Sequence, residues 1–169
     1  SKAFNKALSE AKTGQQRVAL ANLVTEFGFK NTGQLILVLK DDGRALVFDA
    51  VKDGKLPEGE WKMTLKSHPG MAIVRGGDKY VKHNGEQAFL GAAADAHTVK
   101  MDGKGGNYIH SIDKEEFWLE IPRGQHEVDR AMWFRTKHSD NDDYFKWVVN
   151  KNGTISSKDD SLVLGYGIS

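Results

Sequence analysis

Apolar residues come in short bursts separated by polar turn residues along most of this chain. Phe117–Ile121, Ala131–Phe134, Tyr144–Val149 and Ser161–Gly165 are each too short for a buried helix. They are rich in aromatic and β-branched residues, which suit a pleated surface, so each predicts a strand. Between them lie Pro122-Arg123-Gly124, Ser139 to Asp143, and Asn150-Lys151-Asn152-Gly153. Asn-Gly tolerates the positive φ angles of a tight turn. The same grammar begins at Gln34. Leu35–Leu39, Asp41-Asp42-Gly43 and Ala45–Phe48 predict a hairpin, and Trp61–Leu65 alternates like a half-buried strand. Met71–Val74, Lys79–Val81, Ala88–Leu90, Thr98–Met101 and Tyr108-Ile109 continue it. About a dozen short strands spread over roughly 135 residues is the spacing of an antiparallel sandwich or barrel. The predicted class is all-β.

Residues 1–30 read differently. Phe4, Ala7, Leu8 and Ala11 share one helical face, and Thr13-Gly14 supplies a stop. From Gln15 to Phe27, Val18, Leu20, Ala21, Val24 and Phe27 fit a helix, while Arg17–Leu20 fits a strand equally well. The expected organisation is an N-terminal helical extension over residues 1–30 followed by a β domain over residues 31–169. The narrow apolar face of the first helix suits a cap over an open barrel end. A surface for oligomerisation or a partner is the alternative.

Composition narrows the functional classes. The chain has 169 residues, 39% of them hydrophobic and 28% charged, enough to build one sizeable core. No run approaches the roughly 18 apolar residues of a membrane-spanning helix, so no membrane span is expected. With 24 basic and 23 acidic residues the formal net charge is +1, which offers no global field to draw in nucleic acid. There is no cysteine, so disulfides, thiolate metal sites and cysteine nucleophiles are all absent. That composition and the lack of a visible signal peptide suit a cytoplasmic protein, with secretion as the alternative. Asn152-Gly153-Thr154 also fits an N-glycosylation triplet, although turn chemistry explains it more simply.

A threefold recurrence runs through the strands. Ala45–Phe48 precedes Trp61, Ala88–Gly91 precedes Trp118, and Ala131–Phe134 precedes Trp147. Three units of roughly 40 to 45 residues, none able to bury its own apolar face, suggest a threefold closed β architecture. On these residues the chain resembles the β-trefoil superfamily, in particular fascin-like and ricin-B-type lectin domains. Met71–Val81 is similar to the fascin-like opening in which an apolar strand and a turn precede Lys-Tyr-aliphatic, here Lys79-Tyr80-Val81. Ala88–Ala93 followed by Glu116–Glu120 resembles that family's strand, loop and closing Glu-Phe-x-Leu-Glu element. Trp147–Ser156 with Leu162–Gly165 resembles the Trp-x(5)-Gly-Thr-Ile unit of ricin-type repeats. The ricin-type Gln-x-Trp is missing, since Phe145, Glu116 and Gly59 stand two places before Trp147, Trp118 and Trp61. The resemblance covers Gln34 to Gly167. It implies a β-trefoil, a threefold barrel of β-hairpins, and a binding function without catalysis.

The residues that carry chemistry point the same way. No Gly-x-Ser-x-Gly elbow, phosphate-binding glycine loop or His-Glu-x-x-His is present, so no enzyme motif and no cofactor are expected. His68, His83, His97, His110, His126 and His138 are scattered without paired helical spacing, which reads as surface histidine rather than a zinc site. Asp140 to Asp143 offers hard oxygen ligands but lacks the glycine and terminal glutamate of an EF-hand, so a solvated turn is expected rather than calcium. Sugar binding needs an aromatic face for pyranose C–H groups, and neighbouring carboxylates or amides for hydroxyls. Asp140, Asn141, Asp142, Tyr144 and Asn150 supply both within eleven positions, with Trp147 nearby as a core residue. Asp95, His97 and Asn107 are the matching residues of the second section. The expected partner is a glycan or glycoprotein. The alternative is a fascin-like module that binds actin or another protein.

Overall fold

The computed structural model describes residues 33–76, 85–102, 107–112, 117–139, 141–158 and 161–168. The helical extension expected over 1–30 and the strand expected at Lys79–Val81 lie outside the described residues. The rest is an all-β structure.

Ten strands form one curled antiparallel sheet. They are β1 Gly33–Leu39, β2 Met71–Gly76, β3 Gly85–Ala92, β4 Val99–Asp102 and β5 Tyr108–Ser111. The second half supplies β6 Phe117–Glu120, β7 Trp133–Thr136, β8 Trp147–Val149, β9 Ile155–Ser157 and β10 Leu162–Ile168. Across the sheet they run β4-β5-β6-β7-β3-β1-β10-β9-β8, with β2 paired on β3. A single helical turn, α1 Asp142–Phe145, interrupts the strands before β8.

Alternation explains the core. Leu35 and Leu37 of β1, Ala88 and Leu90 of β3, Phe117 and Leu119 of β6, Phe134 of β7, and Leu164 and Tyr166 of β10 all point into one cluster. Phe48, Met63, Ile109, Met132 and Trp147 complete it. Each fully buried side chain of this size contributes about 2 kcal/mol of apolar burial. The opposite face of the sheet is also covered in places, because the curled strands carry small apolar clusters outside the core. Ile36, Val38, Ala45 and Val163 form one, and Tyr108, Trp118 and Phe145 another.

The pairings fall into two kinds. Three pairs are extended: β1 with β10 from Gly33↔Ile168 to Leu39↔Leu162, β2 with β3 from Met71↔Ala92 to Gly76↔Gln87, and β6 with β7 from Phe117↔Thr136 to Glu120↔Trp133. Three are shorter: Phe48 with Leu65, β4 with β5, and β8 with β9. Strands β1, β3 and β7 then meet one another. Gln34 lies opposite Phe89, Gly85–Gln87 runs against Trp133–Arg135, and Met132 N–H donates to the Leu35 carbonyl at 2.8 Å.

Several local expectations change here. Leu35–Leu39 and Ala45–Phe48 do not form a hairpin with each other, although the turn between them is real: Asp42 N–H bonds the Leu39 carbonyl and Ala45 N–H bonds the Asp42 carbonyl. Both segments lie instead against β10, with Ala45 opposite Gly165 and Leu46 N–H on the Leu164 carbonyl at 3.0 Å. Tyr144 and Phe145 are helical, and the strand predicted over Tyr144–Val149 begins only at Trp147. The three tryptophans are not equivalent either. Trp61 faces Val99, Trp147 faces Asn107, and Trp118 sits between His110 and Arg135.

Candidate binding site

The α1 turn sets the geometry of the loop that sequence singled out. Asn141 is extended at the helix start, and its Oδ1 accepts a hydrogen bond from Asp143 N–H at 2.9 Å. This cap satisfies one of the unpaired donors of the first turn, and the acidic Asp142 and Asp143 suit its positive end. Lys146 N–H closes the turn on the Asp142 carbonyl at 3.1 Å. Phe145 anchors it, buried to 1% exposure against Tyr108 and Trp118. Burying that ring outweighs the β preference of the Tyr-Phe pair.

Around this anchor the fold gathers groups that are distant in sequence. Tyr108 meets Trp118 edge to face, with ring centres 5.8 Å apart. Its hydroxyl donates to Asp142 Oδ1 at 2.8 Å. Tyr144 is half-buried and packs on the same cluster. The His138 ring stands edge-on to Tyr144 and Phe145, at 5.2 and 5.3 Å. His138 Nε2 in turn donates to Glu120 Oε2 at 2.6 Å, and Arg135 Nη1 approaches Glu120 Oε1 at 3.3 Å. Glu120 is wholly inaccessible to solvent. A buried carboxylate needs such partners, because desolvating it unpaired costs several kcal/mol. Its neighbours are thereby fixed.

A cationic group covers the aromatic pair. Lys137 Nζ lies 5.0 Å from the centre of the Tyr108 ring and 4.9 Å from that of Trp118, within the range of a cation–π contact. His110 stacks on Trp118 at 4.4 Å with the rings 28° from parallel. On the other side of α1, Asp143 forms an ion pair with Lys158. The Lys158 hydrogen bond holds the Asp143 carboxyl below its ordinary 3.8, and Asp143 correspondingly raises the Lys158 ammonium above its ordinary 10.5. This pair ties α1 to the end of β9. His126 Nε2 donates to the Asp143 carbonyl at 2.9 Å and fixes the same turn from the loop ahead of β7.

Of the residues expected to touch a ligand, Asn141, Asp142 and Tyr144 come together on this turn, and Asp140 lies outside the described residues. Asn150 sits apart from them in chemistry. Its Nδ2 donates to Thr154 Oγ1 at 3.0 Å and Ser156 Oγ at 2.7 Å, which uses both amide hydrogens inside the β8–β9 turn. That leaves its oxygen for any further contact. Trp147 is a core residue, fully buried with Nε1–H on the Leu119 carbonyl at 3.1 Å. In the second section, His97 lines a shallow cleft of about 400 Å³ with Lys62, Ala96, Thr98 and Ile112. Asn107 instead pairs with Trp147, so these two are not joined with an aromatic platform.

Sequence reasoning missed Tyr108, Trp118, Glu120, Lys137 and His138 as members of the site. One signal was available. In Phe117-Trp118-Leu119-Glu120 alternation sends Phe117 and Leu119 one way and Trp118 and Glu120 the other, yet all four are buried. A strand buried on both faces must have its second face covered by another part of the chain. Among the described residues no group of three or more His, Asp or Glu side chains is close enough to hold a metal ion. Among the described residues, no helix is long and apolar enough to cross a membrane. No family model, curated protein or solved structure matches this chain.

Proposed function

We propose that this chain is a carbohydrate-binding protein of the β-trefoil type, acting without catalysis. The pairing pattern supports the trefoil reading. The extended pairs β10–β1, β2–β3 and β6–β7 alternate along the chain with the three short ones, and β1, β3 and β7 meet pairwise. A threefold arrangement of hairpins produces that alternation. The absence of nucleophile, phosphate-loop and zinc-protease motifs in the sequence supports a binding role over an enzymatic one.

One observation carries the sugar reading: Asp142, held by the Tyr108 hydroxyl, stands beside half-buried Tyr144 on a turn anchored in an aromatic cluster. An apolar sugar face packs on an aromatic ring while carboxylate oxygens accept hydrogen bonds from hydroxyls, and the two functions have to be adjacent. Asn141 adds amide donors at the rim, since its cap bond uses only the side-chain oxygen. Pre-set geometry also lowers the ordering cost of binding, which matters for a shallow site.

The test is a glycan array run with the unaltered chain, Asp142→Ala and Tyr144→Ala. The expected outcome is binding to a restricted set of glycans, weakened about tenfold or more in each variant, as for loss of a hydrogen bond or stacking contact worth about 1.4 kcal/mol. An array without hits, or variants that bind unchanged, removes the reading.

A further inference from the structure

The strand register assembles a cationic row next to the proposed sugar site. Lys100 of β4 lies opposite His110 of β5, His110 opposite Trp118 of β6, and Trp118 opposite Arg135 of β7. Residues directly opposite on neighbouring strands share a face of the sheet. Their sequence neighbours Val99, Ile109, Leu119 and Phe134 point into the core, so the row is on the outer face. With strands about 4.8 Å apart, three steps span about 14 Å. Lys137, two residues past Arg135 on the same strand path, lies over Trp118 and Tyr108 and joins this row to the Asp142 turn.

The charge balance on this face favours an anion. The carboxylates nearest the row are engaged: Glu120 is buried beneath Arg135 and His138, and Asp142 accepts from Tyr108 and has Lys146 Nζ at 3.9 Å. Lys100 and Lys137 are exposed, and His110 is partly exposed. A chain with a net charge of only +1 has little long-range attraction for a polyanion, but a local row recruits an anion at close range. A nucleic acid draws its affinity from many phosphate contacts, which a row this short does not supply.

Resting on the carbohydrate reading above, we infer that the ligand is an acidic glycan, one whose sulfate or carboxylate groups lie along Lys100, His110 and Lys137 while a neighbouring sugar engages Tyr144 and Asp142. The two halves of the site recognise different groups. The Asp142 turn takes hydroxyls, and the row takes charge.

The experiment compares a sulfated tetrasaccharide with its desulfated counterpart by calorimetry at low and high salt, using the unaltered chain, Lys100→Glu and Lys137→Gln. A single-stranded oligonucleotide of the same charge serves as the third ligand. The expected result is tighter binding of the sulfated sugar at low salt, with the preference shrinking as salt screens it. Lys100→Glu, an exposed substitution, should weaken sulfated binding about fivefold while leaving desulfated binding unchanged. Equal binding of the two sugars, or no effect of either variant, overturns the acidic-glycan inference and leaves the carbohydrate reading standing. Failure of both sugars removes both. An oligonucleotide that binds as tightly as the sulfated sugar also overturns the inference, since the row would then act on charge alone.

Discussion

Glu120 shows how much a single side chain organises here. Its carboxylate is fully buried, and the two groups that neutralise it, Arg135 and His138, lead to different parts of the site: Arg135 to the cationic row and His138 to Tyr144. Removing the carboxylate would leave both cationic partners facing an apolar gap. Glu120→Ala should therefore destabilise the fold by about 2–3 kcal/mol, at or just below the range for a broken buried pair because its partners are partly solvated. Glu120→Gln, which keeps the shape and one acceptor, should cost about half as much. Urea unfolding midpoints check both, and equal midpoints for all three proteins would contradict the role assigned to the carboxylate. Arg44 is the comparable residue outside the site. Burial acts to lower its pKa, but hydrogen bonds and charges from Asp42 and Asp129 outweigh burial and raise it above its ordinary 12.5. It thus joins the loop after β1 to the loop before β7.

At the scale of elements, strands were legible because alternation records which side of a segment is buried. Partners were not. Leu35–Leu39 and Ala45–Phe48 satisfy every local requirement of a hairpin, yet both are held by β10. Backbone hydrogen bonds are the same for any residue, so an apolar strand does not state which edge it joins; close packing does. Gly165 is where this choice is made. A Cβ there would lie 2.5 Å from a Val38 methyl and 2.9 Å from the Arg44 carbonyl oxygen, which is backbone and cannot swing aside. Gly165→Ala should separate β10 from both segments and cost about 2–3 kcal/mol. Thermal unfolding would show it, and a midpoint within a degree or so of the unaltered chain would contradict the packing described. The α1 turn teaches the complementary lesson. Tyr144 and Phe145 favour a strand by residue type, but the Asn141 cap and the buried Phe145 ring prevail.

At the scale of the molecule, the pairing of β1 with β10 joins segments more than a hundred residues apart, and the core depends on both. Contacts of such long range form late, because the loop-closure entropy must be offset before they contribute. A chain ended after Ser161 loses Leu162, Leu164 and Tyr166 from the core and uncovers the whole edge of β1. It should fail to fold. Loss of near-ultraviolet circular dichroism and of slowly exchanging amides would report this, and a cooperative unfolding transition in the shortened chain would refute it. The same long-range closure brings Tyr108, Trp118, Glu120, His138 and Asp142 together, although no two of them are closer than two positions in sequence.

By itself the sequence determined an all-β class, the places of most strands and turns, and a polar, aromatic loop at Asn141, Asp142 and Tyr144 with binding chemistry. Those follow from local physics: alternation, side-chain shape at the backbone, and the preferences of Asn, Asp and Gly in turns. Tertiary structure alone decided that β1 joins β10, that Tyr144 begins in a helical turn, and that Lys100, His110 and Arg135 stand in one line. Register is a relation between segments. It is settled by the packing of side chains that no single stretch contains.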